Sequence, residues 1–328
     1  MIKAHYYPSP KPDGKYSNPY SIYFRESLEK HFKVVDTQLW KGDLLPFQLV
    51  ISSMFRADIY IYNWIENFGY KRFKQIQYRL LILCFKIIKW RRKKIVWIFH
   101  NIKPHSKSDL YSMKIMNYLY LHANLIVAHS KEAERHVRQN SRCKVIYMCH
   151  PIVPIKKTVG DSSIRKYDVL IWGTILPYKG IPEFLSYVNS VENNLQILII
   201  GTCSDEKLAC KIESQCNDRI KYFNKRVDFQ DLQQLVQQAH YVVFPYIGES
   251  VSSSGALIDT IAMNGNVIGP NKGAFRDLSE EGCCFIYNSY DELMDLLKGN
   301  YLIDRDKLND FIQRHSWDNF VDTLIKEI

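Results

Sequence analysis

The apolar positions of this chain fall in short runs separated by amphipathic stretches. Runs at 2–7, 33–37, 57–64, 94–101, 124–130 and 144–148 are rich in Val, Ile, Tyr, Phe and Trp. They read as buried strands of a parallel sheet, because a strand covered on both faces shows no polar alternation. Between the first two, Ile22, Phe24, Leu28 and Phe32 give 20–31 a partial apolar helix face. The composition shifts at 151–166, which holds two prolines, several cations and Gly160-Asp161-Ser162-Ser163; this reads as a linker. Beyond it the alternation restarts. Strands are predicted at 167–173, 195–201, 220–223, 241–244, 266–269 and 284–287. Helices are predicted at 181–189, 205–216, 228–239, from Gly255, at 289–299 and over 304–327. Two doubly wound α/β domains follow, with ligands expected beyond the carboxyl ends of the strands.

One stretch stands out chemically. The strand Tyr241-Val242-Val243-Phe244 breaks at Pro245 into a loop of small polar residues, and a helix opens at about Gly255. Small side chains let the backbone approach a ligand, and the free N–H groups share the positive end of the helix dipole. This predicts an anion site that suits a nucleotide diphosphate.

Composition narrows the partners. A chain of 328 residues exceeds one typical domain. The net charge of +10 favours an anionic partner, but no nucleic-acid motif is present. Eight cysteines occur without any C-x-x-C pair, which reads as free thiols in a reducing compartment. The N-terminal residues lack the apolar core of a signal peptide, and the apolar run at 80–88 is too short to cross a bilayer. The most basic stretch is 71–94, from Lys71 to Lys94. It carries no acid and interleaves its cations with Phe, Ile, Leu and Trp. A basic amphipathic helix of this kind predicts contact with an anionic membrane surface.

Five stretches follow in order: Trp97 through His105, Trp172 through Gly180, Pro245-Tyr246 with Ser254-Gly255-Ala256-Leu257, 259–268, and His315-Ser316-Trp317. Together they resemble GT-B nucleotide-sugar glycosyltransferases of the family 4-like kind, in the branch that assembles bacterial capsule, exopolysaccharide and O-antigen. Trp172-Gly173-Thr174-Ile175-Leu176-Pro177-Tyr178-Lys179-Gly180 resembles that family's strand and loop ending in Lys-Gly. Pro245-Tyr246, followed by Ser254-Gly255-Ala256-Leu257, resembles its donor loop. The stretch 259–268 is similar to its helix-and-strand element, Trp97 through His105 to its W-x-x-H-N-x-x-P-H stretch, and His315-Ser316-Trp317 to its C-terminal helix start. Where the family has two glutamates eight positions apart, this chain has Val251 and Asp259; where it has a loop arginine, this chain has Thr174.

The resemblance implies a GT-B fold, two Rossmann-like domains facing across a cleft. Residues 1–155 would be the acceptor domain and 156–310 the nucleotide-sugar domain, with 311–328 as a helix packing back on the first. Lys179 and the N–H groups around Ser253, Ser254, Gly255 and Ala256 would meet the donor diphosphate. Gly173, Thr174, Tyr246 and Glu249 would line the donor site, and Asp259 would accept from the ribose hydroxyls. His100 at its strand end and Asp13 in the first loop are the candidate bases, with Gly14 letting that loop approach the donor. Asn101, His105 and His150 are further candidate contacts to sugar or acceptor.

The predicted activity is transfer of a sugar from a nucleoside diphosphate sugar to a polyprenyl-diphosphate-linked glycan, at the inner face of the cytoplasmic membrane. No metal or other cofactor is expected: the one D-x-D, Asp304-Arg305-Asp306, precedes a helix, where capping accounts for it. A nucleotide-sugar epimerase on the same fold and a non-catalytic partner subunit are the alternatives. An epimerase would have no use for the basic stretch at 71–94.

Overall fold

The structure, a computed structural model, describes residues 1–10, 18–35, 56–70, 73–100, 110–155, 165–248 and 251–328. The chain divides into two compact units. One comprises Met1–His150 with Trp317–Ile328, the other Pro151–Ser316.

The first unit holds strands β1 (Lys3–Tyr7), β2 (Lys33–Val34), β3 (Ile59–Asn63), β4 (Lys94–Phe99), β5 (Leu125–Ala128) and β6 (Lys144–Tyr147). They form one parallel sheet in the order β2-β1-β3-β4-β5-β6. Every residue of β3 and β5 is buried. Both faces are therefore covered, as the unbroken apolar runs require. The helices are α1 (Pro19–Glu29), α2 (Lys74–Trp90), α3 (Leu110–His122) and α4 (Lys131–Asn140). Asn18 starts α1 by accepting a hydrogen bond from the Tyr20 N–H, with Pro19 at the first helical position. Ser130 caps α4 in the same way, accepting from the Ala133 N–H.

The second unit repeats the plan with β7 (Tyr167–Trp172), β8 (Ile197–Ile200), β9 (Ile220–Phe223), β10 (Ala239–Val243), β11 (Val267–Pro270) and β12 (Phe285–Tyr287). Its sheet runs β12-β11-β10-β7-β8-β9 and is again parallel. Around it lie α5 (Ile181–Ser190), α6 (Glu206–Glu213), α7 (Phe229–Gln238), α8 (Gly255–Ala262), α9 (Gly273–Glu280), α10 (Tyr290–Lys298) and α11 (Arg305–Arg314). The first strand of each unit sits inside its sheet, so the chain grows first one way and then the other. The points of reversal lie between β1 and β3 and between β7 and β10. Crevices form at such switch points, beyond the strand ends.

The stretch read from sequence as one helix over 304–327 is two. It breaks at His315 and Ser316, and α12 (Trp317–Glu327) belongs to the first unit. There Phe24 of α1 packs on Trp317 and Phe320 with ring centres 5.5 and 5.4 Å apart. Asp318 accepts from Ser27 Oγ and pairs with Lys30. Asp304 accepts from the N–H groups of Asp306 and Lys307, so it caps α11.

Candidate functional site

In the second unit the loops after β7 and β10 flank the switch point. The chain leaves β7 through Gly173, whose φ of +99° no branched side chain tolerates. A Cβ on Gly173 would lie 3.5 Å from Lys179 Nζ and 3.6 Å from Ala256 Cβ, so three separate segments converge there. Gly180 closes the loop at φ +65°, and a Cβ on it would sit 2.2 Å from the Pro245 carbonyl oxygen. The N–H groups of Ile247 and Gly248 both donate to the Tyr178 carbonyl, at 3.0 and 3.2 Å. The two loops are thus fastened backbone to backbone.

Lys179 is 7% exposed. Its ammonium lies over the Tyr246 ring, 5.4 Å from its centre. Burial pulls its pKa down to about 8, and no carboxylate among the described residues pairs with it. Tyr246 is buried and reaches Ser254 Oγ at 3.4 Å. Ser254 in turn caps α8 by accepting from the Leu257 N–H. A hydrogen-bond chain fixes the first turn of that helix: Trp172 Nε1 donates to Thr260 Oγ1 at 2.9 Å, and Thr260 donates to the Ala256 carbonyl at 2.7 Å. Beside this turn a Cβ on Gly255 would meet nothing within 4 Å among the described residues. Asp259 follows one turn later, half-buried, with its pKa raised by burial to about 6.

Gly173, Lys179, Tyr246, Ser254, Gly255 and Ala256 therefore gather at one strand-end site, with Asp259 a turn further along α8. Ser253 is half-buried in the same loop and Thr174 is exposed. Val251, where the resemblance would put a glutamate, is buried, and its carbonyl accepts from the Ala274 N–H at 2.8 Å. That position does structural work. Asn224 clamps Cys203: its Oδ1 accepts from the Cys203 N–H and its Nδ2 donates to the Cys203 carbonyl. Glu249 lies outside the described residues.

In the first unit an imidazole cluster stands beyond the strand ends. His100 follows β4, and its ring stacks on Trp64 at 4.2 Å. Its Nε2 lies 3.0 Å from Asn63 Oδ1. His129 follows β5, donates from Nδ1 to the Met148 carbonyl and accepts at Nε2 from the Tyr20 hydroxyl, both at 2.9 Å. His150, beyond β6, sits 5.1 Å from Tyr20 and 5.5 Å from His129, centre to centre. Burial, with each ring opposing a charge on the next, holds His100 well below the ordinary histidine range and His129 at about 3. His100 and His129 are therefore neutral at pH 7. Two of the histidines named from sequence, His100 and His150, meet here. Tyr20, Asn63, Trp64 and His129 join them without having been singled out. Asp13, Gly14, Asn101 and His105 lie outside the described residues.

Two Rossmann-like units of this build define the GT-B architecture, and solved structures share it over the whole chain. Anabaena Alr3699/HepE, in complex with UDP and glucose, is 13% identical at a TM-score of 0.69, with both chains fully covered. Sucrose-phosphate synthase from Thermosynechococcus elongatus is 10% identical at 0.70, covering 99% of this chain and 98% of its own. The lipopolysaccharide outer core galactosyltransferase WaaB is 14% identical at 0.69, with both chains fully covered. No curated protein matches the sequence. Residues 166–299, which hold the Lys179 site, match the family described as glycosyl transferases group 1. The chain thus has the GT-B fold, and its second unit carries the stretch that matches the group 1 glycosyl transferases.

Proposed function

We propose that this enzyme moves a sugar from a nucleoside diphosphate sugar to a hydroxyl of a lipid-linked oligosaccharide during assembly of a bacterial surface polysaccharide. The observation that carries the donor assignment is Lys179: a buried cation, without a carboxylate partner among the described residues, at the switch point and beside the first turn of α8. Such a cation calls for an anion from solution. As the bond from the sugar to the diphosphate breaks, negative charge grows on the leaving oxygens, and Lys179 with the N–H groups at 253–256 would stabilise it. These donors take the place of a divalent cation in this reading. Asp259 would accept from the ribose, and His100 would meet a sugar hydroxyl. UDP is the first nucleotide to test, since HepE is solved with UDP and glucose.

The acceptor assignment rests on the surface of α2 and α3. Helix α2 turns Leu81, Cys84, Phe85 and Ile88 into the core, yet leaves Phe73, Ile76, Leu83 and Trp90 exposed, the last at 80%. Helix α3 exposes Leu110, Met113 and Leu121. The two helices meet where Tyr78 and Tyr111 lie 5.5 Å apart, with Lys114 over both rings and Lys74 over Tyr111. No helix among the described residues is long and apolar enough to cross a membrane. A face of exposed apolar and aromatic residues flanked by cations suits an anionic bilayer, each cation contributing about 1 kcal/mol. Such a face supports the reading that the enzyme works at the cytoplasmic leaflet, where a polyprenyl-diphosphate glycan would be met.

The test is a thermal-shift screen with UDP, GDP, CMP and dTDP, followed by donor hydrolysis with the nucleotide sugar that stabilises. A shift lost in Lys179→Ala supports the reading. No shift with any nucleotide, or one indifferent to Lys179, overturns it.

A further inference from the structure

The switch point of the first unit lies between β1 and β3, which run in register with Tyr7 opposite Tyr62. Asn63, the last residue of β3, is fully buried there. Its Nδ2 donates to the Tyr7 carbonyl at 3.4 Å, on the neighbouring strand. A carbonyl oxygen cannot donate, so this bond settles which end of the amide is which. Asn63 Oδ1 is left facing His100 Nε2 at 3.0 Å. An amide oxygen only accepts, so Nε2 must carry the proton of the ring.

We infer that Asn63 is a positioning residue: it holds His100 in the Nε2–H tautomer and so makes Nδ1 the nitrogen that accepts from a sugar hydroxyl. This rests on the reading that His100 meets the sugar. The ring has little freedom to escape the assignment. Trp64, reached through a left-handed turn at φ 48°, stacks on one face at 4.2 Å with 19° between planes. Tyr20 approaches with its ring centre 5.0 Å away, nearly perpendicular. His129 lies 5.2 Å away but cannot compete for the Asn63 oxygen: its own Nδ1 proton goes to the Met148 carbonyl, and its Nε2 is taken by Tyr20. The two neighbouring imidazoles therefore hold opposite tautomers, His100 on Nε2 and His129 on Nδ1. A ring turned the other way at position 100 would offer a donor where the hydroxyl needs an acceptor.

Selective 15N-histidine labelling of the whole chain tests this directly. Wild type should show His100 as a single Nε2–H tautomer and His129 as Nδ1–H. Asn63→Leu removes the acceptor; His100 should become a mixture, and kcat/KM for UDP-glucose should fall roughly tenfold, the worth of one hydrogen bond of about 1.4 kcal/mol. Asn63→Asp keeps an acceptor oxygen, so the single tautomer and most of the rate should return, with the His100 pKa raised by the new anion. Thermal melts of both variants separate misfolding from the tautomer effect. Wild-type His100 found as Nδ1–H, or an unchanged tautomer in Asn63→Leu, overturns the inference. If the tautomers are as stated and His100→Ala turns over UDP-glucose at the wild-type rate, it is the role assigned to His100 that fails, and the positioning role falls with it.

Discussion

The Lys179 ammonium lies over the ring of Tyr246, 5.4 Å from its centre, and no carboxylate among the described residues pairs with it. A cation held in this way costs stability until an anion arrives. Its pKa of about 8 in the folded chain is below that of an unfolded lysine, so between about pH 8 and 10.5 the unfolded state binds more protons and stability rises with pH. Lys179→Met should therefore raise the unfolding free energy at pH 7 by up to about 3 kcal/mol, and the melting temperature with it, and the gain should shrink towards pH 10.5. The same substitution should weaken UDP binding by roughly 30- to 100-fold, since a charge-assisted hydrogen bond contributes about 2–3 kcal/mol. Melting curves at pH 7 and 10 with and without UDP check both halves. A variant less stable than wild type at pH 7 would count against the unpaired cation.

Strands such as β3, β4 and β5 were legible because each is a short run rich in β-branched and aromatic residues, almost all of them buried. The helices at 110–122, 131–140 and 273–280 are harder to see. Half of Lys131–Asn140 is charged and it buries only Ala133 and Val137, so its apolar stripe is too thin to register. The Lys179 site was legible because its residues sit on two short loops with Gly, Pro and Ser at fixed places. The imidazole cluster was not. Asn63 reaches His100 across 37 residues and Tyr20 reaches His129 across 109. Only the parallel register brings those strand ends together, and no local pattern marks an Asn that ends a strand as an orienting group.

Glu66 is a second buried charge, in the core of the first unit. Burial raises its pKa to about 7, with the nearby Trp97 side chain partly opposing the shift. Its folded-state pKa exceeds the unfolded value, so the folded chain binds more protons between about pH 4.5 and 7. Stability is then complete below about pH 4.5 and is lost as pH rises through 7. Glu66→Gln should remove that loss. It should match wild type near pH 4.5 and exceed it at pH 8 by up to about 3 kcal/mol. Urea titrations at the two pH values decide, and equal gaps at both would sink the assignment.

The exposed face of α2 and α3 predicts binding to phosphatidylglycerol vesicles that fades with salt and is absent from purely zwitterionic vesicles. Leu83→Asp with Trp90→Asp should abolish most of that binding and leave the melting temperature within about 1 °C, because both side chains are exposed and leave the core untouched. Vesicle co-sedimentation at low and physiological salt is the measurement. Binding that survives the double substitution would remove this face as the membrane contact.

Gly180 and Gly255 should respond to an added methyl in opposite ways. Gly180 stands at φ +65°, and its Cβ would come within 2.2 Å of the Pro245 carbonyl and 2.7 Å of Ile247 Cγ2. Gly180→Ala must move one loop away from the other, at a cost of about 2–4 kcal/mol, and carry Lys179 with it. Gly255 opens α8, and a Cβ on it would meet nothing within 4 Å among the described residues. Alanine there is a better helix residue, so Gly255→Ala should hold or gain up to about 1 kcal/mol of stability. If the open space beside that turn receives a diphosphate, the new methyl occupies the approach, and UDP affinity should fall about tenfold or more while the free protein melts no earlier. Loss of affinity without loss of stability is the signature of a ligand at the helix start; a Gly255→Ala variant that binds UDP as wild type does would move the phosphates elsewhere.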